Sequence, residues 1–186
     1  MAFDYPIVLD LSGVSVLVVG GGSIAHRKIE GLVKAGAKVT VVARAAIDSI
    51  RSMPVELVVR GYEPTDLDGV LLVITATDDP AVNAAVSTDA TTRGIWVNSA
   101  DDPANCTFTL PAVARDGAVT VAVSTGGASP ALASHLRGGI EDWLGQIGAA
   151  DAAVALAAQR RDLQADGVST ESIDWSDRVR TALRRP

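Results

Sequence analysis

The stretch "SVLVVGGGSIAHRK" (15–28) sets the tightest limit on the fold: a continuous apolar run stops at three glycines and a helix-like pattern follows. A strand whose successive residues are all apolar must bury both faces, as parallel strands covered by helices do. Ile24, Ala25, Ile29, Leu32 and Val33 recur at helical spacing, and Gly36 marks that helix's end. The alternation then repeats. "KVTVVA" (38–43), "VELVVR" (55–60), "VLLVITAT" (70–77) and "GIWVNSA" (94–100) read as further strands, with a helix over 80–92. Strands alternating with helices need right-handed crossovers, so the first part of the chain is expected to be an α/β, doubly wound parallel sheet.

The rhythm changes after residue 100. "CTFTLPAVARDGAVTVAVST" reads as two strands joined by a turn at Asp116-Gly117. "SPALASHLRGGIEDWLGQI" follows as a helix, with Ser129 as its cap and Pro130 in the first turn. The remainder, from about residue 149, reads as two helices separated near Asp166-Gly167. The small segment after residue 112 cannot bury both its faces alone. It is expected to pack against the first domain or a second subunit.

Composition narrows the function classes. The chain has 186 residues, 48% hydrophobic, with aromatics at 4%, so its core should be aliphatic. Its net charge of −6 argues against a general nucleic-acid surface. The single cysteine, Cys106, rules out an internal disulfide and a multi-cysteine zinc site. "MAFDYPIVLDL" lacks the basic start of a secretory signal, and no apolar run approaches the roughly 18 to 20 residues that span a bilayer. The reading is of a soluble cytoplasmic protein.

Gly20, Gly22 and Ala25 form G-x-G-x-x-A directly after a strand and at the opening of a helix, the context that gives this motif meaning. Gly20 allows the tight turn, Gly22 lets a pyrophosphate approach the backbone, and Ala25 permits close helix–strand packing. Ser23 and Ile24 open the helix, whose free N–H groups suit phosphates. The architecture is therefore Rossmann-like, and the bland alternative is a glycine turn that only connects strand to helix. The usual acidic residue about 20 positions on is missing; Ala43 and Arg44 stand there. Arg44 would suit a 2′-phosphate, or is an exposed residue past a strand end, so the local motif leaves NAD against NADP open. Ligands of such sheets lie at the carboxyl ends of the strands. Thr75, Ala76, Thr77, Asp78 and Asn98 are candidate cofactor contacts, with Ser99 and Asp101 facing the reacting groups. A carboxylate there serves as a general base where its surroundings allow; it also makes a good turn former.

At these residues the chain resembles the precorrin-2 dehydrogenase family, the N-terminal module of siroheme synthase. The likeness rests on "GGG..A.RK", "N..D.P....F..P" and "S.GG.SP" in order, from about Tyr5 to Trp143. It implies NAD-dependent oxidation of precorrin-2 to sirohydrochlorin on the path to siroheme, with ferrous iron insertion in some members. It implies a homodimer, with residues 1–112 as the dinucleotide-binding domain, 113–147 as the dimerisation segment and 148–186 as a helical C-terminal region. The family's catalytic aspartate falls on Asp101, with Asp102 as an adjacent competitor. The implied substrate carries many carboxylates. "STGGASP" offers backbone N–H groups and a helix N-terminus for them, so Ser124, Gly126, Gly127 and Ser129 are candidate substrate contacts, with Arg137 and Lys28 as basic partners. His26 and His135 read as surface residues, Cys106 as a small buried side chain, and no protein metal site is expected. Two rival readings are a nucleotide-sensing regulatory module without turnover and an NADP-dependent carbonyl reductase. The latter often uses Tyr-x-x-x-Lys, and neither Tyr5 nor Tyr62 has a lysine four residues on.

Overall fold

A computed structural model describes residues 5–100 and 102–183. The chain divides into two compact units, 1–110 and 111–186.

The first unit holds the parallel sheet. Its strands are β1 (Ser15–Val19), β2 (Lys38–Ala43), β3 (Glu56–Val59), β4 (Leu72–Thr75) and β5 (Trp96–Ser99), in the order β3-β2-β1-β4-β5. β1 pairs in parallel with β2 on one side and β4 on the other. The helices are α1 (Ser23–Lys34), the single turn α2 (Asp48–Arg51) and α3 (Pro80–Thr92). The all-apolar β1 does bury both faces. Val16 and Val18 pack with Ala25, Ile29 and Leu32 of α1, while Leu17 and Val19 pack with Val86 and Ala90 of α3. One helix layer therefore covers each side of the sheet, and the strand order reverses between β1 and β4.

Three strands are shorter than the apolar runs that announce them. β3, β4 and β5 are each shorter at both ends than those runs; Gly94, at the start of the last of them, takes positive φ. The run beginning at Cys106 differs more. Residues 106–110 form no strand of a hairpin but fold back on β5. Thr107 N–H donates to the Val97 carbonyl at 2.8 Å, and Val97 N–H donates to the Thr107 hydroxyl at 2.8 Å. Phe108 packs beside Trp96, ring centroids 6.5 Å apart. A hydroxyl that answers β5's own backbone, and an aromatic neighbour, outweigh the local strand pattern.

The second unit begins with the antiparallel hairpin β6 (Ala112–Asp116) and β7 (Val119–Val123), turning at Gly117 with φ of 55°. α4 (Pro130–Ile147) lies against it, burying Ala114 with Leu144 and Ile147. Ser129 caps α4 by accepting from Leu132 N–H at 3.2 Å. α5 (Ala149–Ala165) and α6 (Ser176–Ala182) complete the unit. Gly148, at φ of 65°, ends α4 and begins α5 with no loop between them. Among the described residues no helix is long and apolar enough to cross a membrane.

Candidate active site: a cleft at the strand ends

A cleft of about 940 Å³ opens at the carboxyl edge of the sheet, where the order reverses. Its floor is the β1–α1 turn, Gly20 to Ile24; its walls are the ends of β2, β3 and β4. Each glycine of the turn has a separate task. Gly20 takes φ of 130°, and a Cβ there would lie 2.6 Å from the Ala76 carbonyl carbon and nearer still to its oxygen. Gly21 is pressed as closely on Ala45, and its carbonyl accepts from Ile47 N–H at 3.0 Å. These two glycines hold the turn between the β2 and β4 ends. Gly22 has nothing within 4 Å of a Cβ. It faces open cleft, as the N-cap of a helix with neither a side-chain cap nor an acidic first turn. The first N–H groups of α1 thus point toward the cleft without a side-chain acceptor. Uncapped donors and helix-dipole potential beside a bare backbone fit a pyrophosphate. These residues fit a dinucleotide.

The β4 side of the cleft is pinned by a small polar knot. Thr77 hydroxyl donates to Asn83 Oδ1 at 2.8 Å, and Asn83 Nδ2 donates to the Thr77 carbonyl at 3.0 Å. Asp79 caps α3, accepting from Ala81 N–H at 2.9 Å. Asn83 carries no motif signal, because its role exists only once the turn has formed.

Of the residues expected to hold cofactor, Gly20, Gly22, Ser23, Ile24, Ala43, Arg44, Ala76, Thr77 and Asp78 come together around this cleft. Thr75 and Asn98 do not line it. Thr75 is wholly buried and donates to Ser99 Oγ at 3.0 Å, while Asn98 Nδ2 donates to the Phe108 carbonyl at 3.0 Å. The Thr75 side chain links β4 to β5 within the sheet, and that of Asn98, on the opposite face, ties β5 to the segment that follows it. Sequence reading passed over Arg60, Gly61 and Tyr62, which form the far wall at the β3 end. The signal for them was positional alone: they follow a strand of the same parallel sheet. Arg60 is held by Asp66, donating at 2.8 and 2.5 Å. Tyr62 donates to Asp89 at 2.9 Å, and burial together with that carboxylate pushes its pKa well above the usual phenol range.

Asp101 lies outside the described residues. The chain on either side of it is well fastened. Ala100 N–H donates to the Thr75 carbonyl at 2.9 Å, and Asp102 N–H to the Ser99 carbonyl at 3.3 Å. Asp102 is engaged in its own turn, accepting from Asn105 Nδ2 at 2.6 Å. Cys106 Sγ accepts from Ser99 N–H at 3.1 Å and lies 3.3 Å from the carbonyls of Ser99 and Asp102. Burial raises its thiol pKa, and the Asp102 charge adds to that; the Ser99 N–H and the Lys28 charge pull the other way. The thiol is expected to stay unlabelled by a disulfide-exchange reagent in the native protein at neutral pH and to react fully on unfolding. Rapid native labelling would contradict this burial. Lys28 is half-buried and His26 likewise, whereas His135 is exposed.

In the second unit the loop before α4 carries Gly126 and Gly127, both at positive φ. Ser124 Oγ accepts from Gly126 N–H at 3.2 Å, and Ser129 is committed to the cap. Arg137 pairs with Glu141 one turn along α4. Among the described residues no three His, Cys, Asp or Glu side chains come together as a metal cage.

A family profile for NAD(P)-binding proteins matches residues 7–112, and one for the central part of sirohaem biosynthesis proteins matches residues 116–142. A siroheme synthase of Pseudomonas fluorescens (strain SBW25) is 45% identical over 143 residues, 75% of this chain and 31% of that protein. One from Methylococcus capsulatus (strain Bath) is 50% identical over 147 residues, 74% and 30% respectively. The chain thus spans about a third of the length of these curated relatives. Among solved structures, the precorrin-2 dehydrogenase SirC superposes with a TM-score of 0.71 at 30% identity, covering 94% of this chain and 85% of SirC. With its nucleotide-binding unit, its central segment and nearly the whole of SirC matched, the chain belongs to the NAD(P)-binding precorrin-2 dehydrogenase family of siroheme biosynthesis.

Proposed function

We propose that this chain oxidises precorrin-2 to sirohydrochlorin with NAD. The observation that carries the reading is the bare, uncapped start of α1 at the switch point of the sheet, in a chain that matches SirC along most of both lengths. The reaction removes two hydrogens from a reduced tetrapyrrole carbon framework, one as hydride and one as a proton. When bound, the nicotinamide supplies the hydride acceptor. The protein's share is placement and proton handling. Gly22 and the first N–H groups of α1 anchor the phosphates, and the Thr77–Asn83 knot fixes the wall beside them, so reacting groups meet in a set geometry.

Asp101 is our proposed base for the departing proton. Its support is its position just past β5, a strand end held by Thr75, Ser99 and Cys106, and the engagement of the adjacent Asp102 in a turn. Substrate carboxylates are assigned to Ser124, Gly126, Gly127, Ser129, Arg137 and Lys28; the two left-handed glycines and the helix start behind them suit anions. Ferrous iron would enter as substrate, with the macrocycle supplying the final ligands. We further propose a cytoplasmic homodimer joined through the second unit. The half-exposed Leu132, Leu136 and Trp143 of α4, spaced to share one face, support it.

An anaerobic assay with freshly generated precorrin-2 tests the activity. NAD and NADP are supplied in parallel, reduced nicotinamide and sirohydrochlorin are followed, and ferrous iron is then added. Sirohydrochlorin formed with NAD supports the dehydrogenase, and enzyme-dependent siroheme adds the chelatase. No turnover by folded, nucleotide-binding protein would favour a sensor. Light scattering should give twice the monomer mass, and a monomer at all concentrations would remove the dimer.

A further inference from the structure

β5 is an edge strand of the sheet, so no further strand fixes its outer side. The segment that follows it does so instead. The chain leaves the sheet at Ser99 and returns beside β5 at Thr107, and Asp101 belongs to the loop between. Side chains close the neck of that loop. Val97 N–H donates to the Thr107 hydroxyl at 2.8 Å, and Thr107 N–H donates to the Val97 carbonyl at 2.8 Å. One residue thus supplies both halves of a rung that a neighbouring strand would build from backbone alone. Asn98 is buried, and its Nδ2 donates to the Phe108 carbonyl at 3.0 Å. Thr75 in turn fixes the outgoing end to β4 through Ser99. A short loop with both ends held has few conformations, so these contacts decide where a side chain within it stands. Neither Asn98 nor Thr107 lines the nucleotide cleft, and the task left to both is mechanical.

We infer that Thr107 and Asn98 are positioning residues: their side chains close the neck of the Asp101 loop and so hold the base in place for proton removal. The inference rests on the assignment of Asp101 as that base. Thr107→Val keeps the shape of the side chain but leaves Val97 N–H without its acceptor. It should lower kcat for anaerobic precorrin-2 oxidation by about tenfold or more and leave KM and NADH affinity within about twofold. Thr107→Ser returns the hydroxyl and should bring kcat back to within about twofold of wild type. Asn98→Leu, similar in size but without the donor, should lower kcat with the same split. Val39→Ala, a core change in β2, is the control for general destabilisation and should leave kcat within about twofold. Thr107 is exposed, so its variants are expected to keep the wild-type circular dichroism spectrum, and they decide the matter where Asn98→Leu does not fold. An unchanged kcat in Thr107→Val, a Thr107→Ser as slow as Thr107→Val, or an equal fall in Val39→Ala would overturn the inference and leave the dehydrogenase reading intact. Weaker NADH binding at full kcat in Asn98→Leu would make Asn98 a cofactor contact and overturn its part. No turnover in wild type, or full turnover in Asp101→Ala, would remove the proposed activity or its base, and this inference with it.

Discussion

Gly20→Ala is expected to unfold much of the nucleotide-binding unit, while Gly22→Ala, two positions on, should leave the fold intact and empty the cleft. At Gly20 the backbone sits at φ of 130°, which alanine adopts only under strain, and the new methyl would strike the Ala76 carbonyl. The obstacle is backbone on a buried strand end, so relief means separating β1 from β4. We expect a loss of about 3 kcal/mol or more, a large part of a small domain's stability. At Gly22 the backbone is extended, φ −92° and ψ −171°, and a methyl meets no protein atom. Stability should stay within about 0.5 kcal/mol of wild type. The methyl would nonetheless occupy the path of a pyrophosphate toward the N–H groups of α1, so affinity for NAD should drop about tenfold or more. Thermal melts of both variants, paired with fluorescence titration of NADH, separate the two effects. Equal melting and equal binding for both would show that the turn is a mere connector.

Asp101→Ala should lower the rate of precorrin-2 oxidation by about a hundredfold or more and leave NAD affinity unchanged. The estimate is that for a general base removed from a proton transfer. Single-turnover kinetics beside an NADH titration would check it. Asp102→Ala provides the contrast: it removes the acceptor for Asn105 and should loosen the turn, shifting stability more than the chemical step. If Asp102→Ala abolished turnover and Asp101→Ala did not, the two assignments would exchange.

Much of the sheet was legible because parallel strands must be apolar on both faces. "SVLVV" needed no structure to be placed, and the helix over 80–92 coincides with α3. The glycine loop was legible for a different reason: close backbone approach leaves few residue choices. What escaped depends on partners distant in sequence. Thr75 and Asn98 look like cleft residues by position, yet each is bonded to a partner, Ser99 or Phe108, that only the fold brings beside it. Residues 106–110 carry a strand pattern that loses to hydrogen bonds with β5. The wall at Arg60 to Tyr62 has no motif, since any residue after β3 would stand there.

The strand order also sets a schedule for synthesis. β1 is the central strand, and its first neighbour, β2, ends at Ala43, whereas its other neighbour, β4, ends at Thr75. At bacterial to eukaryotic elongation rates of about 5–20 residues per second, roughly 3 to 11 seconds separate the emergence of Val19 from that of Thr75. Throughout that interval one edge of the most apolar strand has no partner, and such an edge is a template for pairing with other chains. The nascent chain is therefore most exposed to misassembly before β4 arrives, and slowing translation between β2 and β4 should lower the yield of native protein more than slowing it after residue 110.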